Sequence, residues 1–220
     1  MNDNMEYEEQ LEKEEKKHKK IMKYDMEIGI ILLIVVVVVT VSNLMLKSSY
    51  ESIKEVRAGI GPLLMESNKD ILNAAETFRK NSTDSASIAA IDKAKLTYDN
   101  AILFYSKTMK KGMEEGLVVT VLDTCFTAGN NFRTALEAQP EVLKNGLTVQ
   151  MLNAVDNDML RLRGKIDSLV AGIGTYNNSG FLLHLSSLTP YPGKVEFRHQ
   201  PLPEVALYRE PVPAPAPDKK

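Results

Sequence analysis

The feature that most constrains this chain is one uninterrupted apolar run, Ile28–Leu46. Ile, Leu, Val and Met fill it except at Gly29, Thr40, Ser42 and Asn43, and no charged residue falls within it. A helix needs roughly 20 such residues to cross about 30 Å of hydrocarbon, and each aliphatic residue near its centre favours insertion by about 0.3 to 0.6 kcal/mol. The polar residues lie mostly toward one end, where hydroxyl side chains bond back to the helix backbone. The run therefore predicts a transmembrane helix.

Two alternatives compete with that interpretation. The segment Val35–Val39 alone would suit a buried strand, since β-branched residues favour strands in water, but the whole run is too long for one. A cleaved signal peptide has an apolar region of about 7 to 15 residues behind a basic region. Here the polar segment before the run is 27 residues long, and no clear A-x-A cleavage site follows it. The sequence therefore favours an uncleaved signal anchor.

Basic residues around the run predict its orientation, because Lys and Arg resist translocation. After the run stand Lys47, Lys54 and Arg57. Before it stand six lysines: Lys13, Lys16, Lys17, Lys19, Lys20 and Lys23. We therefore expect the N-terminus in the cytoplasm and residues 47 onward outside it.

Residues 1–27 form a charged tail with 6 Lys and 9 acidic residues. Glu and Lys four positions apart, such as Glu15 and Lys19, favour an exposed helix. Two interpretations stay open for this tail. One is a solvated, partly helical lead into the anchor, and the other, compatible with it, is a lysine cluster held by anionic membrane lipid at about 1 kcal/mol per basic residue.

Past residue 47 the apolar spacing is helical and predicts about four helices, each burying one stripe. The first continues from the apolar run and is kinked or broken around Gly59, Gly61 and Pro62, because proline inside a helix removes a hydrogen bond. The second follows a polar cluster with N-cap chemistry, Asn81–Asp84, and ends near Gly112. These features predict a bundle that begins directly after the anchor.

The third and fourth helices complete this bundle. The third is expected from about Leu117 to Ala138, with Pro140 marking its end. The fourth has Thr148 as candidate N-cap and glycines that loosen its end at Gly172, Gly174 and Gly180. Its stripe alternates steps of three and four, the seam of a helix packed almost parallel to its neighbours. That stripe is Leu152, Val155, Met159, Leu162, Ile166, Leu169 and Ile173.

From Leu188 the character changes, because eight of the ten prolines lie beyond that residue. The run Pro211–Pro217 favours polyproline II, at about 3.1 Å per residue. A spacer or a disordered end is the simplest interpretation, and a docking peptide for an aromatic-lined groove is the alternative.

No catalytic, cofactor or metal site is legible in the sequence. His18, His184 and His199 fall in three different regions without a second ligand at metal-binding spacing. Cys125 lies on the inward stripe of the third helix, which favours core packing as a small apolar group over the alternative, a catalytic nucleophile. The pair Tyr176–Asn177 is interpreted as a polar stop at a helix end. The net charge of −2 gives no reason to expect nucleic acid as a partner. We therefore expect a chain that is not an enzyme and holds no cofactor.

Short motifs in the same order resemble the LemA family of bacterial membrane proteins. Asp70-Ile71-Leu72-Asn73 with Glu76-Thr77 is similar to that family's D-L-I-P-N-L-V-E-T, without the proline. Glu137-Ala138-Gln139-Pro140-Glu141 with Leu143-Lys144-Asn145 resembles E-A-Y-P-D-L-K-x-N, with Gln139 in place of the tyrosine. Tyr176-Asn177 and Tyr191-Pro192 match the pairs at and beyond the last helix, whereas Leu169-Val170 replaces an earlier tyrosine-asparagine copy. The resemblance implies a divergent member, with an N-terminal anchor and a long antiparallel bundle that acts through other membrane or envelope proteins.

The sequence thus predicts an all-α chain in four parts: a charged tail (1–27), a transmembrane helix (28–46), a LemA-like antiparallel helical bundle (47–187) and a Pro-rich extended tail (188–220). The expected function is a non-catalytic scaffold or interaction module in the bacterial plasma membrane. Its partners would be membrane lipid and a protein, or a second copy of the chain, bound through exposed helix faces or the Pro-rich tail. The alternative is an extracytoplasmic bundle that senses a small ligand, since ligands bind between bundle helices.

Overall fold

The computed structural model describes residues 3–110, 114–139, 142, 146–179 and 191–205. Within these ranges the regular structure is helical and no strand occurs. The five helices are α1 (Asp3–Ala58), α2 (Ile60–Asn81), α3 (Ser85–Met109), α4 (Glu115–Glu137) and α5 (Gly146–Asn178). Two compact units are distinguished, residues 1–48 with 179–192 and residues 49–178 with 193–220. The all-α prediction is confirmed.

The first unit contains the apolar part of α1. Its most apolar window has a mean hydropathy of 2.8 and none of it is buried by protein. Thr40 donates to the carbonyl oxygen of Val36 at 2.8 Å, so the helix itself satisfies that polar group. Among the described residues, α1 is the one helix long and apolar enough to span a membrane.

The expected interruption falls at Gly59, between α1 and α2. The Gly59 amide still donates to the carbonyl oxygen of Glu55, at 3.3 Å, so the break is a single turn. Pro62 lies in the first turn of α2, where proline is tolerated because the first amides of a helix have no acceptor within that helix. Proline therefore starts the new helix here and does not disrupt its interior.

The second unit is a four-helix bundle in which α2 and α4 each pack on both α3 and α5. The fourth predicted stripe is wholly buried along α5, from Leu152 to Ile173. Opposite it, α4 buries Val118, Leu122, Phe132 and Leu136. Helices that each bury one stripe against two neighbours form a single continuous apolar core.

The polar cluster Asn81–Asp84 correctly predicted where α3 begins. The Asp84 carboxylate accepts from the backbone amides of Ala86 and Ser87, at 3.2 and 3.1 Å, as an N-cap side chain does. The helix ends at Met109, three residues before Gly112, which itself lies outside the described residues.

One expectation for α5 was wrong. The helix begins at Gly146, so Thr148 is not its N-cap and is buried within the first turn. The helix runs past Gly172 and Gly174 to Asn178, and Ile173 and Tyr176 are fully buried in this last stretch. Burial of an apolar face outweighs the roughly 1 kcal/mol that each glycine costs a helix. Pro140 and Gly180 lie outside the described residues.

Beyond the helices, residues 193–205 have no regular secondary structure and belong to the same unit as the bundle. Val195, Phe197 and His199 are half-buried, whereas Lys194, Glu196, Arg198 and Gln200 between them are exposed. This alternation with a period of two is that of a strand lying on a surface. Residues 194–205 are called the strap below. The run Pro211–Pro217 lies outside the described residues.

Candidate functional site

Cys125, the thiol singled out in the sequence, is fully buried on α4. Its sulfur contacts the carbonyl oxygen of Ala101 at 3.5 Å, and burial raises the pKa of the thiol to about 12. A reactive thiolate needs exposure and a lowered pKa. The side chain therefore acts as a core group.

The histidines do not come together. His18 is exposed on α1, His184 lies outside the described residues, and His199 lies on the strap with its Nδ1 atom 3.1 Å from the Asp123 carboxylate. Burial raises the pKa of Asp123, an effect that the neighbouring His199 opposes. No group of three potential metal ligands occurs in the described part of the chain.

The pair Tyr176–Asn177 has a larger role than a polar stop. The ring of Tyr176 is fully buried, with its centroid 5.8 Å from that of Tyr50. Asn177 binds the strap at two points. Its amide nitrogen donates to the carbonyl oxygen of Val195 and its oxygen accepts from the Val195 amide, both at 2.9 Å. One side chain thus satisfies both backbone groups of an extended residue, as a neighbouring strand would.

The rest of the strap is held in the same way by α4 and α5. Thr120 donates to the carbonyl oxygen of Arg198 at 3.2 Å, and Asp123 accepts from the amide of Gln200 at 3.3 Å. Farther along, Arg163 donates to the carbonyl oxygen of Pro203 at 3.3 Å. The bundle therefore binds this segment largely through its backbone.

Gly116 permits this close approach. A Cβ atom at that position would lie 1.9 Å from the carbonyl oxygen of Glu196, a backbone atom that would have to move. Sequence reasoning missed the strap altogether. The signal was present in the alternation of charged and apolar residues from Lys194 to His199, which was overlooked beside the prolines.

An exposed apolar ridge lies on α3. Leu96, Leu103 and Phe104 share one face of the helix and are 59%, 51% and 52% exposed, respectively. The core-facing side of the same helix buries Ile91, Tyr98 and Tyr105. An ordinary bundle helix buries its one apolar stripe and leaves the opposite face polar. A second apolar face on α3 is therefore a candidate interaction surface.

Basic side chains flank the α3 ridge. Lys93 and Lys107 are exposed on the same face, with Asn100 between them. The nearby acidic residues of α3 already have partners. Asp92 forms an ion pair with Arg79, and Asp99 forms one with Lys95. The ridge therefore presents apolar side chains with a local excess of positive charge.

A separate cleft of about 750 Å³ lies where residues 54–58, α2 and α3 approach the start of α4. Its lining is mainly apolar, from Pro62, Leu64, Met65, Ile102 and Met109. Clefts of this size bind small molecules in many proteins.

Four charged side chains border this cleft: Lys54, Arg57, Lys110 and Glu115. Arg57 and Glu115 form an ion pair at 2.7 Å with 18% and 7% of their side chains exposed. The Lys54 ammonium lies 4.7 Å from the centroid of the Tyr50 ring. Burial raises the pKa of Tyr105, which also lines the cleft, so that hydroxyl stays protonated near neutral pH.

Comparison with protein-family models, with curated proteins and with solved structures found no match for this chain.

Proposed function

We propose that this chain is a non-catalytic interaction module of the bacterial envelope, similar in kind to LemA proteins and anchored in the plasma membrane by residues 28–46. The observation that carries the proposal is the α3 ridge, because a bundle helix with a second, half-exposed apolar face has a surface left over for a partner. In this account the anchor keeps the bundle at the membrane and the ridge recruits another membrane or envelope protein.

The chemistry of the ridge favours one kind of partner, an acidic amphipathic helix. Helix recognition places apolar anchors at intervals of three to four residues against a complementary apolar surface. Lys93 and Lys107 at the two ends of the ridge would then contact acidic side chains of that helix.

A second copy of the chain fits this surface less well. Two antiparallel α3 helices related by a two-fold axis at Asn100 would place Lys93 of each copy against Lys107 of the other. Like charges juxtaposed at an interface oppose association. We therefore propose a different protein as the partner.

The non-catalytic part of the proposal rests on the state of the chemistry-bearing residues. Cys125 is buried with a raised pKa, and His199 holds the strap. These side chains satisfy structural needs where a catalytic group would face a substrate.

Photocrosslinking in intact cells tests the α3 ridge. A benzophenone amino acid at Leu103, 51% exposed, is compared with the same group at Leu147 on α5, 50% exposed. We expect adducts at position 103 with an envelope or membrane protein, through a peptide of an acidic amphipathic helix, and none of that kind at position 147. Lys107→Glu should reduce the adduct about fivefold through charge repulsion, whereas Lys80→Glu, on α2, should not.

Equal adducts at positions 103 and 147 would contradict the proposal, because the ridge would then be no more than an exposed surface. An adduct between two copies of this chain would contradict the choice of partner. If Lys107→Glu left the adduct at position 103 unchanged, charge would have no part in recognition of the partner.

The cleft favours a second function, a bundle that senses a small ligand outside the cytoplasm. Its volume of about 750 Å³ and apolar lining suit a ligand with a substantial apolar part. Such a ligand should raise the melting temperature of the chain, because it would bind the folded state alone. If no apolar ligand changed the melting temperature of the chain, this second function would be contradicted.

A further inference from the structure

We propose that the cleft bordered by Lys54, Arg57, Lys110 and Glu115 binds a long-chain fatty acid. The acyl chain would lie against the apolar lining, and the carboxylate would lie among the basic side chains at the border. The inference rests on the ligand-sensing function proposed above for the same cleft and is independent of the α3 ridge, so its failure would leave the ridge proposal standing.

The lining of the cleft favours a flexible apolar chain. Pro62, Leu64, Met65, Ile102 and Met109 provide an apolar wall along a volume of about 750 Å³. Methionine side chains adapt to irregular apolar ligands because three rotatable bonds let them repack. Few polar groups face this wall, so a sugar or a nucleotide would leave its hydrogen bonds unmade.

The charges at the border favour an anionic head group. Three cationic side chains and one carboxylate line the cleft, so their formal sum is 3 − 1 = +2. Glu115 already pairs with Arg57 at 2.7 Å, which leaves the excess positive charge toward Lys54 and Lys110. A carboxylate placed there gains attraction, whereas an ammonium head group is repelled.

The compartment also suits this ligand. Fatty acids partition into bilayers because each buried methylene contributes favourably to transfer from water. The proposed anchor would keep the protein at a membrane that holds this ligand, so no soluble carrier is required.

Gly61 offers a way to close the cleft without touching the core. It lines the cleft, and a Cβ atom built there meets nothing within 4 Å. Gly61→Leu should therefore fill the cleft with a side chain, whereas Gly61→Ala adds one methyl group to open space. The two variants differ in how much volume remains for a ligand and little else.

The test uses the full chain in phosphatidylcholine nanodiscs with hexadecanoic acid that carries a photoreactive diazirine. Mass spectrometry counts adducts on residues 54–65 and 102–109, and adducts on residues 28–46 report background labelling within the bilayer. We expect the ratio of cleft to background adducts to fall about fivefold in Gly61→Leu, as for a filled pocket, and to stay unchanged in Gly61→Ala.

A charge series supplies a second, independent readout. Lys54→Gln with Lys110→Gln should lower the same ratio about fivefold, because two border charges are lost. The matched control is Lys69→Gln with Lys80→Gln, two exposed lysines of α2 that do not line the cleft. Unlabelled hexadecanoate should compete for the cleft adducts, and hexadecyltrimethylammonium should not.

The proposal is overturned if Gly61→Leu keeps the wild-type ratio, if adducts are confined to residues 28–46, or if the ammonium amphiphile competes as well as the carboxylate. Circular dichroism checks that Gly61→Leu is folded. If it is not, the charge series decides, since exposed Lys→Gln changes leave the core intact.

Discussion

Asp158 is a buried carboxylate on α5 with 3% of its surface exposed. Burial, followed by the negative charges of Asp70 and Glu66, raises its pKa from 3.8 to about 6. Arg161 opposes this shift from 3.5 Å, but that guanidinium is itself exposed and also binds Glu66 at 2.9 Å. The charged form of Asp158 is therefore the unfavourable one in the folded chain.

Because the pKa of Asp158 is raised, this group makes the folded chain more stable as the pH falls. Between pH 6 and pH 4 the folded chain binds a proton at Asp158 that the unfolded chain does not, so lowering the pH through that window adds stability from this group. Asp158→Asn, which mimics the protonated form, should be more stable than wild type at pH 7.5 by about 1 to 2 kcal/mol. Near pH 4 the two proteins should converge. Thermal unfolding measured at both pH values checks this.

Asp167→Asn is the matched control, because Asp167 is an exposed carboxylate on the same helix, 56% exposed and 3.8 Å from Arg163. It should lie close to wild type at both pH values, since exposed ion pairs contribute little. If Asp158→Asn were less stable than wild type at pH 7.5, the charge of Asp158 would stabilise the folded chain, which would contradict the prediction.

The strap is the element whose attachment depends most on one small residue. Gly116→Ala would place a methyl group against the Glu196 carbonyl oxygen, so the strap must move away from α4. Movement would break the hydrogen bond that Thr120 donates to Arg198 and the one that the Gln200 amide donates to Asp123. We expect amide hydrogen exchange of residues 194–205 to become about tenfold faster or more, as about 1.4 kcal/mol or more of local stability is lost.

Gly164→Ala controls for helix propensity. A Cβ atom at Gly164 meets nothing within 4 Å, so this change should stabilise α5 by up to about 1 kcal/mol and leave exchange in the strap unchanged. Wild-type exchange of the strap in Gly116→Ala would show that the close approach at Gly116 does not hold the segment.

The helices could be predicted from sequence because their signals are local. Asp84 caps α3 through amides two and three positions away, and the α5 stripe repeats every three or four residues. The strap could not be placed in the same way, because Val195 binds Asn177 from 18 positions away and Gln200 binds Asp123 from 77. Such pairings depend on tertiary structure that a periodic pattern does not contain.

The α3 ridge and the cleft also differ in how far the sequence alone predicts them. The apolar ridge on α3 is visible in principle, since Leu96, Leu103 and Phe104 stand outside the inward stripe of that helix. The cleft is not visible in the sequence, because its lining comes from four helices that the chain brings together only on folding. Thr148 shows the opposite error, in which a residue with N-cap chemistry is buried within a helix that starts earlier.

At the scale of the whole molecule, the account depends on the side of the membrane that the bundle occupies. The described structure offers two exposed positions for a labelling test, Thr83 between α2 and α3 and Lys16 in the charged tail. Ser82 next to Thr83 is only 8% exposed and would label poorly. Cys125 gives no background, because it is fully buried and its pKa is raised to about 12.

The most direct measurement is labelling of Thr83→Cys and Lys16→Cys in intact cells with a membrane-impermeant maleimide. The account predicts that Thr83→Cys reacts in intact cells, whereas Lys16→Cys reacts only after the plasma membrane is permeabilised. The reverse pattern would place the bundle in the cytoplasm and contradict an envelope partner. Reaction of both variants without permeabilisation would contradict residues 28–46 as a membrane-spanning anchor.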